Sequence, residues 1–275
     1  MFRFMLAPME DYTDCAFRAL CHKHGADLTF TEVAKIDGLA RGNKATLKKL
    51  NWQDPTPTQI QILPGKDEML EKFLQEFNPE EGFMGFNFNF GCPAPEVVKV
   101  GRGCAMVKRV SKTNRLIEIV RKHNYPVSIK MRLGESEFQK SVKVYMNLIN
   151  GTNPDFFVVH ARTGTQTYND LPDYSVFEEC VASGKEIIAN GNIDNIAKVE
   201  QLKKVGVKGV MVGRAAVRNP AIFEQLNGKP PTSIEQLKSE YSLLAQKYES
   251  DPRHQKNILM RMGQSFAPTS LGNDA

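Results

Sequence analysis

Short apolar runs rich in Phe, Val, Ile and Met recur along the chain at 2–6, 28–31, 58–62, 83–87, 127–131, 156–160, 186–189 and 208–212. Each is of strand length, and the stretches between several of them repeat their apolar residues with helical period. Residues 14–24 set Phe17, Leu20 and Cys21 on one side, and 67–77 do so with Met69, Leu70, Phe73, Leu74 and Phe77. The same pattern appears over 113–122 (Leu116, Ile117, Val120), 141–149 (Val142, Tyr145, Met146, Ile149) and 194–204 (Ile196, Ala197, Val199, Leu202). Strands alternating with helices predict a parallel sheet, because two parallel strands need a crossover between them. Eight such units over about 225 residues predict an α/β fold in which the sheet closes into a (β/α)8 barrel, here spanning 1–228. An open, doubly wound sheet is the alternative. It would place a glycine-rich phosphate turn after the first strand, where this chain has APMEDYTD.

The alternation stops after Asn219-Pro220, and Lys229-Pro230-Pro231 breaks the chain. Thr232 to Glu235 reads as a capping box that opens a helix over 234–248, a second helix follows over 254–264, and 267–275 reads as a frayed tail. Residues 229–275 are therefore expected to form a short helical region appended to the barrel.

Composition narrows the class. With 41% hydrophobic and 24% charged residues, the chain has the make-up of an ordinary globular domain. The N-terminal apolar run is too short for a signal peptide or a membrane span, so a cytoplasmic protein with no membrane partner is expected. Five cysteines (Cys15, Cys21, Cys92, Cys104 and Cys180) include no C-x-x-C pair and none near a histidine at zinc-ligand spacing. Four of them read as small buried apolar side chains, and no metal site is expected. The net charge of +5 leans mildly toward polyanionic partners; a monomer is expected.

In such a barrel, chemistry gathers at the C-terminal ends of the strands. The predicted strands end, in order, in Ala7-Pro8-Met9, Glu32, Gln59 and Gln61, Asn87 to Pro93, Lys130 and Arg132, His160 to Thr163, Asn190-Gly191-Asn192, and Gly213-Arg214. One rim thus collects polar side chains from seven of eight strands. The glycine turns after the seventh and eighth strands lie where barrels tend to bind phosphate, and Arg214 adds a planar cation suited to it. Lys130 would suit an electron-rich ring that gains negative charge on reduction, and Gln61 and Asn190 offer amides to a heterocycle edge. Cys92 sits just past a strand between Gly91, which permits a bend, and Pro93, which stiffens the exit. A thiol with the ordinary pKa of about 8.5 is mostly protonated at neutral pH and can serve as a general acid; a neighbour that lowered that pKa would make it a nucleophile instead.

These residues resemble the tRNA-dihydrouridine synthases. Ala7-Pro8-Met9 with Thr13-Asp14 and Phe17-Arg18 resembles the family's opening A-P-M-x-x-x-T-D-x-x-F-R, and Asn89-x-Gly91-Cys92-Pro93 its N-x-G-C-P signature. Gly101-x-Gly103-Cys104-Ala105 is similar to its G-x-G-A loop with a cysteine before the alanine. Lys130-x-Arg132-x-Gly134, His160-x-Arg162-Thr163, Asn190-Gly191-Asn192 and Gly213-Arg214 follow in order. The resemblance implies an FMN-bound barrel that reduces the C5–C6 bond of uridine in tRNA and draws on NADPH or NADH. It implies that Pro8, Met9 and Glu10 line the flavin, and that Gln61, Lys130 and His160 meet its rings. Asn190, Gly191, Asn192, Gly213 and Arg214 would hold its phosphate end. Asn89 would orient the uracil, Cys92 would protonate C5, and Arg162, Lys99 and Arg102 would help to grip the substrate, with Lys108 and Arg109 near the same loop. Three departures stand out. The third strand reads Gln61-Ile62-Leu63-Pro64-Gly65, one residue longer than the family's Q-x-x-G, which keeps Gln59 open as the flavin contact. Asn192 replaces an aspartate, and the C-terminal helical part is shorter than the family's RNA-binding domain. An FMN barrel acting on a free pyrimidine, similar to dihydroorotate dehydrogenases, and a flavin-free RNA-binding barrel are the competing readings.

Overall fold

The computed structural model describes residues 1–50 and 55–265; the predicted tail over 267–275 lies outside the described residues. Nine strands run β1 (Arg3–Leu6), β2 (Thr29–Phe30), β3 (Ala34–Lys35), β4 (Thr58–Leu63), β5 (Phe83–Phe90), β6 (Val127–Met131), β7 (Phe157–His160), β8 (Ile187–Asn190) and β9 (Gly209–Val212). All pairings are parallel, in the order β1-β9-β8-β7-β6-β5-β4-β2, with β3 also on β4. A parallel bridge between Met5 and Leu28, with Leu6 N donating to Leu28 O at 3.0 Å, joins the first strand to the second. The sheet therefore nearly closes into a barrel of eight strand positions, with β2 and β3 sharing one.

The second position is split because the Thr31 side chain interrupts it: its Oγ1 accepts the Gln61 amide at 3.0 Å, in place of a backbone carbonyl. Strand β5 runs on to Phe90, beyond the 83–87 of the sequence pattern. Its Phe86, Phe88 and Phe90 point outward into the helical layer, while Asn87 and Asn89 point inward. The helix read over 141–149 is broken by Lys143 at φ 56°, leaving Glu137–Ser141 and Val144–Gly151. The capping residue of the C-terminal helix Ile234–Lys247 is Ser233, which accepts from Gln236 N, one position later than the box read at Thr232.

Two apolar clusters hold the fold. The larger lies between the sheet and the helices, and the smaller fills the barrel interior with Met5, Ala7, Leu28, Phe30, Phe156, Val158, Ile188 and Met211. The interior facing β4, β5 and β6 is polar instead, lined by Gln59, Gln61, Asn87 and Ser128. The helix Ile234–Lys247 lies on Cys15–Lys23, where His24 bonds both Glu224 and Glu240. The helix Pro252–Arg261 reaches the rim, where His254 bonds Glu32 at 2.7 Å and Arg253 pairs with Asp11 at 2.6 Å. No helix among the described residues is long and apolar enough to cross a membrane.

Candidate active site at the barrel mouth

Local chemistry shapes each loop at the C-terminal rim. After β1, Thr13 Oγ1 donates to Met9 O at 2.9 Å and accepts from Met9 N, closing a tight turn. Asp14 caps the next helix through Phe17 N, and the buried Arg18 donates to Thr13 O at 2.7 Å. Thr13, Asp14 and Arg18 thus build the loop that carries Pro8, Met9 and Glu10. Of these three, Glu10 is exposed and paired with Lys49, and the Met9 sulfur lies beside Gly213, where a Cβ would sit 3.4 Å from it.

In the turn after β5, the backbone amides and carbonyls of Gly91 and Cys92 are all bonded. Asn89 Oδ1 accepts from Gly91 N and Cys92 N, both at 3.0 Å. Cys104 N donates to Cys92 O at 2.9 Å, and the Cys104 thiol donates to Gly91 O at 3.2 Å. Gly103 permits this approach: at φ 57° its Cβ would fall 2.3 Å from Cys92 O. Cys92 is half-buried at the mouth, whereas Cys104 is sealed in and burial pushes its thiol up to about 12. Of the two, Cys92 is the accessible one. The other three cysteines are buried.

Cations crowd the rim from β6, next to this turn, round to β9. Lys130 carries its ammonium into the mouth from β6, and burial, with the neighbouring Arg132, pushes it down to about 8. Burial and the charges of Lys130, Arg132, Arg162 and Arg214 hold His160 well below its ordinary value, so its ring is neutral at pH 7. Arg162 Nη1 donates to His160 Nε2 at 2.9 Å, which leaves the ring proton on Nδ1. Arg132 donates to Thr163 O and Gln166 O, Arg162 to Asp170 O, and Arg214 to Asn192 Oδ1. None of these four cations has a carboxylate ion pair among the described residues. The three arginines bond neutral partners, so the mouth keeps positive charge that an anion would complement. Arg214 also lies over the Tyr168 ring at 4.3 Å.

The turns that carry the remaining candidates converge here. Asn190 ends β8 and donates to Met211 O at 2.9 Å; Gly191 takes φ 127°, which disfavours any side chain, and a Cβ there would crowd Pro172 at 3.1 Å and His160 at 3.3 Å. Gly213 precedes the helix Arg214–Arg218. Gln61 lies toward the rim, bonded to Asn87 and Asn89, and Gln59 lies deeper, bonded to Ser128 and the Met84 carbonyl. The proposed substrate cations are less uniform. Lys99 is exposed on the short helix Pro95–Lys99, Arg102 pairs with Asp37 at 2.5 Å, and Arg162 is fully buried beneath the 163–173 loop. Tyr168 and Ser128 belong to the same constellation but carry no motif that sets them apart in the sequence. Among the described residues no group of three or more His, Cys, Asp or Glu is placed to hold a metal ion.

Comparison with known proteins gives the constellation a context. The family model described as "Dihydrouridine synthase (Dus)" matches residues 5–268. A probable tRNA-dihydrouridine synthase of Helicobacter pylori is 34% identical over 233 residues, covering 80% of this chain and 69% of its own length. tRNA-dihydrouridine synthase B of Xanthomonas campestris is 30% identical over 228 residues, covering 82% and 68%. Among solved structures, morphinone reductase superposes with a TM-score of 0.57 at 11% identity, covering 87% of this chain and 88% of that one, a likeness of fold.

Proposed function

Given that the chain belongs to the dihydrouridine synthase family, we propose that it reduces a uridine of tRNA to 5,6-dihydrouridine in the cytoplasm, with FMN as cofactor and NADPH or NADH as electron source. The donor set at the mouth fits FMN. Lys130 offers an ammonium without a counter-ion among the described residues, Gln61 and the neutral His160 offer polar edges, and Pro8, Met9 and Glu10 lie on the loop after β1. Asn190, Gly191, Asn192, Gly213 and Arg214 form a close-approach turn pair with one arginine, suited to a phosphate. Bound there, FMN would supply hydride to C6 of the uracil.

The protein's own residues supply the rest. Hydride at C6 leaves negative charge on the C5 side of the ring, and a proton must reach C5. Cys92, the accessible thiol at the mouth, delivers it from a turn whose Gly91 and Cys92 amides and carbonyls are all bonded. The cations Lys130, Arg132, Arg162 and Arg214 favour the developing charge. The target base must leave its stack to enter the mouth, and Lys99, Arg102 and Arg109 beside the Cys92 turn meet the phosphates around it. We assign 1–228 to catalysis and 229–275 to additional RNA contact. The observation that carries the reading is the pairing of a clamped, accessible thiol with a neutral-partnered cation cluster at one rim.

The test is direct. Purified protein is incubated with NADPH and tRNA lacking dihydrouridine, and nucleosides are weighed by mass spectrometry. The reading expects a gain of about two daltons at a uridine, from addition of two hydrogens. No gain, with free orotate or uracil reduced instead, would transfer the activity to a small pyrimidine.

A further inference from the structure

The polar half of the barrel interior is a single hydrogen-bonded line with one direction. Gly91 N and Cys92 N donate to Asn89 Oδ1 at 3.0 Å. Asn89 Nδ2 donates to Gln61 Oε1 at 2.9 Å, and Gln61 Nε2 to Asn87 Oδ1 at 2.8 Å. Asn87 Nδ2 donates to Ser128 Oγ at 2.7 Å, Ser128 Oγ donates to Gln59 Oε1 at 2.5 Å, and Gln59 Nε2 ends the line on Met84 O at 3.0 Å. Each side chain accepts at one end and donates at the other, so no amide can flip without breaking two bonds. Aligned bonds of this kind strengthen one another in a low-dielectric interior. Asn87 and Ser128 are 0% exposed and Gln59 and Gln61 2% exposed, so water does not stand in for a lost partner.

We propose that this line positions the Cys92 thiol and that Ser128, the only hydroxyl in it, is a positioning residue for the proton transfer. The inference rests on the role of Cys92 given above. Ser128 lies three hydrogen-bond links below Asn89 and, in this reading, touches neither flavin nor uracil. It matters because the turn bearing Cys92 hangs from Asn89, and Asn89 keeps its amide orientation only while Gln61, Asn87 and Ser128 hold theirs. Loss of the hydroxyl strands Asn87 Nδ2 and Gln59 Oε1 together, and the line can then rearrange up to the turn. A shift of about an ångström at a reacting group costs on the order of a hundredfold in rate, so a partial loosening is visible in kcat.

The experiment uses the flavin-bound protein with Ser128→Ala, Ser128→Thr and Cys92→Ala. Two quantities are read: kcat and KM for tRNA, and the rate at which iodoacetamide alkylates Cys92, followed by peptide mass. Ser128→Ala should keep the flavin spectrum and a KM within about twofold, lose about tenfold or more in kcat, and change the alkylation rate at Cys92. Ser128→Thr, which keeps the hydroxyl, should restore both. A wild-type kcat in Ser128→Ala, a fall in kcat with unchanged alkylation, or a threonine variant as impaired as alanine each overturns the proposal. If Ser128→Ala fails to fold or to hold flavin, Gln59→Met cuts the line at its foot and is read in the same way. Normal turnover by Cys92→Ala would remove the acid role itself; the alkylation rate in Ser128→Ala would still report whether the line holds the thiol.

Discussion

Lys130 is a charge the fold holds at a cost, and that cost is measurable. Its ammonium is pushed from an ordinary 10.5 down to about 8 by burial and by Arg132, and it has no ion pair or hydrogen bond among the described residues. That depression corresponds to about 3 kcal/mol against the charged form at neutral pH. The sign follows from proton counts. Between pH 8 and 10.5 the unfolded chain holds this proton and the folded one does not, so the contribution of Lys130 to stability rises with pH across that window. Below pH 8 both states hold the proton and the full penalty applies. Lys130→Met should therefore make the flavin-free protein more stable at pH 7 by up to about 3 kcal/mol, an advantage that shrinks from pH 8 and is gone above 10.5. The assay is urea unfolding of the flavin-free proteins at pH 6.5, 7.5, 8.5 and 9.5, taken as the difference between variant and parent so that the other titrating groups cancel. The same variant should bind FMN more weakly, since the cation held ready for the cofactor is gone. A stability difference that does not change with pH, or a variant less stable at pH 7, would refute the reasoning.

Arg214→Ala should leave the fold intact and weaken FMN binding by about 1.5–3 kcal/mol, the worth of hydrogen bonds to a charged group, read by flavin fluorescence titration. His254 is opposed by burial but raised overall by Glu32 at 2.7 Å, so the charged pair stabilises fully below the ordinary histidine value and fades as pH rises through the raised one. Glu32→Gln should accordingly cost more stability at pH 6 than at pH 9, by about 1–3 kcal/mol, read by thermal unfolding at both. Gly209→Ala would set a Cβ 2.4 Å from Arg3 O where β9 meets β1, and should destabilise by about 1–3 kcal/mol in the same assay.

Much of the barrel was legible because apolar runs of strand length alternate with helical periods, and each strand position of the structure overlaps one of those runs. What failed was local. Asn89 looks like a loop residue in sequence, yet the inward-facing polar pair Asn87 and Asn89 in β5 is satisfied across strands, so the strand continues beyond 87 to Phe90. The helices Val176–Ala182, Arg214–Arg218 and Ile222–Leu226 are too short to print a period. Strand ends gave the rim residues, since direction in a parallel barrel decides which end they reach. The line beneath them was not readable: Gln59 and Ser128 are 69 positions apart, and only the register of β4, β5 and β6 brings them together. The structural duty of Thr13, Asp14 and Arg18 was likewise hidden, because a motif records that residues recur together and not which of them touches a ligand.

The central claim is that Cys92 gives its proton to a base whose reduction the mouth supports, and single-turnover kinetics test it most directly. Enzyme whose flavin has been reduced anaerobically is mixed with tRNA lacking dihydrouridine, and flavin absorbance is followed while the nucleosides are weighed. The account predicts that the parent protein regains oxidised-flavin absorbance in step with dihydrouridine, and that Cys92→Ala, with the same flavin content, does so at least about a hundredfold more slowly. Equal rates in the two proteins would contradict it.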